Sequence, residues 1–224
     1  MLESLEIRRL LAVQVTASGG TLLVNGDKNN NVINVVETDG AVHVETSTLP
    51  SGVITAKDFT GITTIKINGG GGDDTIFYDG NTVGANIHGD SAGKGSDKSN
   101  NNGGSNGWNR HGGSSGGSGG EGKGDDQITV TDEGIGSSTI DGDKGNDVLT
   151  VIRGNNTQVY GGDGNDQIFL NSGGDDTGSA VAHGQKGDDV FTVYAGQNTV
   201  QGGGGKDTVL ELGGTTDVSG AKVV

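Results

Sequence analysis

Six glycine-rich segments of this sequence each end on an aspartate that leads into an aliphatic or aromatic residue. The first two are Gly69-Gly70-Gly71-Gly72-Asp73-Asp74-Thr75-Ile76-Phe77 and Glu121-Gly122-Lys123-Gly124-Asp125-Asp126-Gln127-Ile128-Thr129. Next come Gly142-Asp143-Lys144-Gly145-Asn146-Asp147-Val148-Leu149-Thr150 and Gly161-Gly162-Asp163-Gly164-Asn165-Asp166-Gln167-Ile168-Phe169. Gly184-Gln185-Lys186-Gly187-Asp188-Asp189-Val190-Phe191-Thr192 and Gly202-Gly203-Gly204-Gly205-Lys206-Asp207-Thr208-Val209-Leu210 complete the series. All six keep glycine at the fourth position, aspartate at the sixth and a large apolar residue at the eighth. A looser copy is Gly26-Asp27-Lys28-Asn29-Asn30-Asn31-Val32-Ile33, with Asn31 in the aspartate's place. Glycine lets the backbone take positive φ and turn its carbonyls toward one point, while the aspartate supplies charge. Converging carbonyl and carboxylate oxygens are the donor set of a hard cation.

These segments resemble the G-G-x-G-x-D-x-U-x nonapeptide of the RTX, or haemolysin-type, calcium-binding repeat family, over about residues 62–212. The copies at 69–77 and 161–169 are complete. Calcium takes six to eight oxygens at about 2.3–2.6 Å in flexible geometry, which such loops can offer. The resemblance implies a right-handed parallel β-solenoid, β-roll-like, with calcium loops stacked along one edge and each ion held between two successive loops. The ligands are then drawn from Gly69, Gly71, Asp73 and Asp74, from Gly122, Gly124 and Asp126, and from Gly142, Lys144 and Asp147. Gly161, Asp163 and Asp166, then Gly184, Lys186 and Asp189, then Gly202, Gly204 and Asp207 complete the set. Six loops leave gaps for up to about five calcium ions. One departure stands out. A regular roll carries the nonapeptide at both turns of every coil, whereas the opposite turns here read Gly136-Ser137-Ser138-Thr139, Gly154-Asn155-Asn156-Thr157 and Gly196-Gln197-Asn198-Thr199. A single row of ions is expected on one edge, and an Asn/Thr ladder on the other.

The strands that must position these loops follow from the spacing. The sixth-position aspartates are 74, 126, 147, 166, 189 and 207, separated by 52, 21, 19, 23 and 18 residues, so one coil takes about 18–23 residues. Side chains alternate along a strand, which turns positions eight and ten inward: Ile76/Tyr78, Ile128/Val130, Leu149/Val151, Ile168/Leu170 and Phe191/Val193. The outward set then includes Phe77, Val148, Ile152, Phe169, Val190, Tyr194, Leu210 and Leu212, an apolar outer face. Residues 13–68 are expected to form calcium-poor N-terminal coils of the same solenoid, and 213–224 a strand-like tail. Within 69–212, residues 91–120 are almost all Gly, Ser and Asn around Trp108, and read as a flexible insertion extruded from one loop. His88 and His183 fall at one register position, so the repeat accounts for them.

Composition narrows the function. Only 29 % of residues are hydrophobic and 4 % aromatic, against 47 glycines, so no thick core forms. The formal charge of −15, with 29 acidic and 14 basic residues, excludes the basic footprint of a nucleic-acid binder. No cysteine is present, and no apolar run reaches the roughly 20 residues of a membrane-spanning helix. Residues 1–12, with Leu2-Glu3-Ser4-Leu5-Glu6-Ile7-Arg8-Arg9-Leu10-Leu11, resemble the LEPR-XLL export segment of planctomycete proteins, with Ile7 where that family has proline. That resemblance implies an extracellular or cell-surface location. No acid–base pair stands outside the repeat pattern, so an enzyme is not expected. The reading is a calcium-stabilised extracellular structural protein that self-associates, head-to-tail or through its apolar outer face, into a fibre or coat. Alternatives are a calcium-dependent adhesion or export module, an ice-binding solenoid, or a polysaccharide-modifying enzyme.

Overall fold

Alternating short apolar runs punctuated by Gly, Asn and Asp become strands throughout the computed structural model, which describes residues 13–49, 54–90, 123–133, 136–173 and 178–224. The LEPR-XLL-like segment, the insertion 91–120 with Trp108, and Gly122 lie outside these residues. β1 (Gln14–Ser18) and β2 (Thr21–Asn25) form an antiparallel hairpin about Gly19-Gly20, both at positive φ. β3 (Asn31–Thr38), β4 (Ala41–Thr48) and β5 (Ile54–Thr60) form an antiparallel meander. Its first turn is Asp39-Gly40, at φ 47° and 81°, the two-residue hairpin chemistry in which both central residues need positive φ. The chain then winds regularly through β6 (Thr64–Gly70), β7 (Thr75–Gly80), β8 (Ala85–Asp90) and β9 (Gln127–Asp132). It continues through β10 (Thr139–Asp141), β11 (Val148–Arg153), β12 (Asn155–Asp163) and β13 (Gln167–Leu170). β14 (Ser179–Lys186), β15 (Val190–Val193), β16 (Gln197–Gly204), β17 (Thr208–Glu211), β18 (Thr215–Ser219) and β19 (Lys222–Val223) follow.

Two sheets result, one of nine strands in the order β1-β2-β6-β8-β10-β12-β14-β16-β18 and one of ten in the order β19-β17-β15-β13-β11-β9-β7-β3-β4-β5. Setting aside β1 in the first and β4 and β5 in the second leaves eight strands in each, one pair per coil, all paired in parallel. This is a parallel β-solenoid. Ahead of residue 69, only β2, β3 and β6 follow the expected coil pattern. β1 and β4 run antiparallel to β2 and β3 because two-residue turns join them, and such turns connect only antiparallel neighbours; β5 pairs antiparallel with β4. The expected tail after residue 212 is one more coil, β18 and β19, in register with β16 and β17.

The core is a stack of one- and two-residue rungs. Ile33, Ile76, Ile128, Leu149, Ile168, Phe191 and Val209 lie level in the second sheet, all at most 1 % exposed. Val35, Tyr78, Val130, Val151, Leu170 and Val193 make the next row. The first sheet answers with Leu22/Val24, Ile65/Ile67, Ile87, Ile140, Val159, Ala180/Ala182 and Val200. Full burial contributes about 1.5–3 kcal/mol for each large aliphatic or Phe. The two alanines share a coil with Phe191, the bulkiest residue of its row. The outer face of the second sheet differs from the expected continuous apolar surface. One row reads Asn34, Phe77, Thr129, Thr150, Phe169, Thr192, Leu210, and its neighbour Val32, Thr75, Gln127, Val148, Gln167, Val190, Thr208. Threonine and glutamine interrupt the apolar positions, and Val190, Tyr194, Leu210 and Leu212 are the exposed ones.

Candidate metal centre

The glycine loops connect a first-sheet strand to a second-sheet strand in every coil, so they stack along one edge. Position four must be glycine. Gly145, Gly164, Gly187 and Gly205 all sit at φ between 129° and 153°, and a Cβ on any of them would collide with the fourth-position carbonyl of the preceding coil. Stacking the loops this tightly brings the sixth-position aspartates into one row. Asp74, Asp126, Asp147, Asp166, Asp189 and Asp207 point inward beside the core, none more than 4 % exposed.

A hydrogen-bond ladder fixes these carboxylates. The amide of each donates to Oδ1 of the aspartate one coil on: Asp74 to Asp126 (2.7 Å), Asp126 to Asp147 (2.8 Å), Asp147 to Asp166 (2.9 Å), Asp166 to Asp189 (2.9 Å) and Asp189 to Asp207 (3.0 Å). The looser copy joins in register, since the Asn31 amide donates to Asp74 Oδ1 at 2.7 Å and its neutral side chain ends the acidic row. Oδ2 of all six aspartates is buried without a hydrogen-bond partner. Five lie against the first-position glycine of their own loop and Asp126 lies against Gly89, where a backbone carbonyl of the next coil also approaches. At Gly161 these two oxygens are Asp166 Oδ2 and Gly184 O; at Gly142, Asp147 Oδ2 and Gly161 O. The edge therefore carries a seam of alternating carboxylate and carbonyl oxygens.

Burial pushes the carboxyls up: Asp74 and Asp166 to about 7, Asp126 and Asp147 to about 8, and Asp189 to about 6. The ladder amide each accepts pulls the other way, and neighbouring carboxylates add to the rise. Buried polar groups are normally paired, and a buried charge without a partner is costly by several kcal/mol. Six repeated orphan oxygens are the arrangement that a row of divalent cations would complete. The donor set, all carboxylate and carbonyl, suits calcium.

The expected ligands divide into groups. Gly69, Gly142, Gly161, Gly184 and Gly202 meet the sixth-position Oδ2 atoms in the seam. The third-position carbonyls of Asp163, Lys186 and Gly204 instead accept the amides of Gly145, Gly164 and Gly187 (3.0, 2.9 and 2.8 Å). The Asp163 carboxylate turns outward to Lys186 Nζ at 2.6 Å, and Lys144 bridges to Asp163 in parallel. The Gly71 amide donates to Asp27 O at 2.8 Å, and Gly124 packs against Gly72 O. Asp73 belongs to a second, exposed ladder at position five: Asp125 N to Asp73 Oδ1, Asn146 N to Asp125 Oδ1, Asn165 N to Asn146 Oδ1, Asp188 N to Asn165 Oδ1 and Lys206 N to Asp188 Oδ1, at 2.7–3.1 Å. It runs opposite in sense to the sixth-position ladder. The signal was present in the sequence, because position five is Asn or Asp in every copy until Lys206.

Asp90 stands outside the expected ligand set. It lies level with Gly70, at loop position two of the coil formed by β8 and β9. It is 2 % exposed, and neither carboxylate oxygen has a hydrogen-bond partner. Burial raises its pKa to about 7, with Asp143 adding to the rise and the nearby amides of Gly124 and Lys144 tempering it. The intervening 91–122 separates it from the rest of its loop, so it falls outside the nonapeptide copy at 121–129.

The opposite edge is built differently. Asp132 is buried there, but its carboxylate accepts Ser138 N (3.1 Å), Ser138 Oγ (2.8 Å) and Thr157 Oγ1 (2.7 Å). Asn171 accepts Gly154 N (2.9 Å) and donates to Asn198 Oδ1 (2.8 Å) and Ala195 O (3.2 Å). Asp132 thus pairs with Ser138 and Thr157, and Asn171 with Asn198; in place of a continuous Asn/Thr ladder, this edge holds two groups, one of them built on a buried aspartate. No family model matches this chain, and neither a curated protein nor a solved structure matches it.

Proposed function

We propose that the chain is a calcium-stabilised structural module of RTX type, exported to the cell surface or beyond, whose stack is completed by a row of calcium ions. The observation that carries this reading is the contrast between its edges: every sixth-position aspartate keeps a buried, unpartnered Oδ2, while the buried Asp132, Ser138, Thr157, Asn171 and Asn198 opposite are hydrogen-bonded. The nonapeptide resemblance supplies the ion, and the all-oxygen seam agrees with it. Divalent charge neutralises carboxylates that otherwise repel along the row. Magnesium substitutes poorly because it demands near-ideal octahedral geometry at about 2.0–2.1 Å and gives up its water reluctantly. Self-association into a fibre or coat is the assembly this reading favours, through the exposed Val190, Tyr194, Leu210 and Leu212 on the second sheet.

Circular dichroism with and without a chelator at pH 8 tests the proposal. Removing calcium should turn a β-rich spectrum into a largely unordered one, and millimolar calcium, unlike magnesium, should restore it. A spectrum unchanged by exhaustive chelation would overturn the reading.

A further inference from the structure

The outer face of the first sheet carries a second donor set with different chemistry. Parallel pairing sets His88 of β8 level with Asp141 of β10, and Asp143 follows two residues on, just past the end of that strand. His88 Nδ1 lies 3.2 Å from Asp143 Oδ2 and 4.0 Å from Asp141 Oδ2. The three donor atoms fall within 4.8 Å of one another, and all three side chains are partly buried. Four ligands about 2.0–2.1 Å from a tetrahedral zinc ion stand about 3.3–3.5 Å apart, so small side-chain adjustments close this triangle around one ion.

We propose that His88, Asp141 and Asp143 form a separate site for a transition-metal dication of the zinc class, with the remaining coordination position open to solvent. Imidazole selects such metals over calcium, which takes oxygen ligands and needs six to eight of them. The same register row elsewhere offers Asn68, Tyr160, His183 and Gln201, so an imidazole meets carboxylates from the adjacent coil only at His88 among these positions. Tyr160 and His183 stack on each other, with ring centroids 5.0 Å apart. The site's orientation is fixed from behind, because Asp141 Oδ1 accepts the Asp143 amide at 3.1 Å. Asp143 also holds φ 67°, at a loop position that is glycine in Gly70, Gly162 and Gly203. An L-residue there carries strain, which glycine would relieve. Buried Asp90 beside Asp143 favours a cation, while Lys66 near His88 opposes one.

Zinc chloride titrated calorimetrically into the calcium-saturated full chain tests this. Wild type should take up one zinc equivalent that His88→Ala and Asp143→Gly both lose and His43→Ala keeps, His43 holding a separate His–Asp contact, with Asp58 at 2.6 Å. Asp143→Gly separates a ligand from a structural residue: it should abolish that equivalent while leaving the thermal midpoint unchanged or higher. Absence of zinc uptake by wild type, or uptake unaltered in the folded His88→Ala or Asp143→Gly proteins, would overturn the proposal. This site and the calcium row fail independently, since zinc uptake is read through His88 and calcium uptake through Asp166.

Discussion

Asp166 does two things that one substitution can separate. Its Oδ1 accepts the Asp147 amide, and its Oδ2 is the buried, unpartnered oxygen. Asn31 already shows that an amide fits this position in the stack. Asp166→Asn keeps an acceptor for the ladder and removes a buried charge. The calcium-stripped variant should therefore melt above the stripped wild type at pH 8. In calcium it should gain about 5–10 °C less than wild type, taking about 2.7 kcal/mol for one ion site at hundredfold saturation. Equal gains measured by differential scanning calorimetry would detach Asp166 from any ion. Asp166→Ala, in the middle of the array, should cost more of the calcium response than Asp207→Ala, which has ladder contact on one side only. The glycines supply a second comparison. Gly164→Ala puts a Cβ into Gly145 O at φ 153° and should cost at least about 1 kcal/mol in urea unfolding. Gly204→Ala meets nothing closer than Gln185 O at 3.6 Å and should be tolerated. The nonapeptide pattern agrees with the stacking distances, since it keeps glycine at position four, held by Gly164, and leaves position three, held by Gly204, free.

At the scale of the element, the row of aspartates makes stability depend on pH in an unusual direction. Burial raises these carboxyls to about 6–8, above their ordinary value, so between about pH 4 and pH 8 the folded state holds more protons than the unfolded one. Stability of the calcium-stripped protein must then fall as pH rises through that window, and calcium should remove the fall by taking the protons' place. Urea midpoints at pH 5 and pH 8, stripped and calcium-loaded, check this. A stripped protein more stable at pH 8 than at pH 5 would mean the row is not desolvated as the structure has it. Much of this element was legible in advance. Glycine at four, aspartate at six and apolar residues at eight and ten gave the loops, the row and the inward rungs, because a nine-residue motif that returns every 18–23 residues between alternating strands leaves little freedom. Ile87-His88-Gly89-Asp90 reads in the sequence as the approach to a loop split by the insertion, but the split kept Asp90 out of the expected ligand set. The antiparallel additions β1, β4 and β5 were not legible, although Asp39-Gly40 is a hairpin turn by composition. The sense of the two hydrogen-bond ladders depends on side-chain direction, which repeat spacing does not encode.

At the scale of the molecule, a core of one- and two-residue rungs has little to spare, so the loop edge governs whether the stack holds together. Neighbour-to-neighbour stacking also spreads any loss, and unfolding should grow less cooperative as calcium is withdrawn. Assembly can be tested separately. Sedimentation velocity in millimolar calcium should show large species for wild type and monomer for Leu210→Lys/Leu212→Lys, which charges two exposed apolar residues at the second sheet. Wild type that remains monomeric at high concentration would leave a soluble calcium module with no fibre. The most direct test of the central claim is the number of calcium ions retained per folded chain, counted by native mass spectrometry after exchange into calcium-free buffer. About five are expected from six stacked loops, with fewer on Asp166→Asn. A folded, β-rich chain that retains none, and gains none on titration, would contradict it.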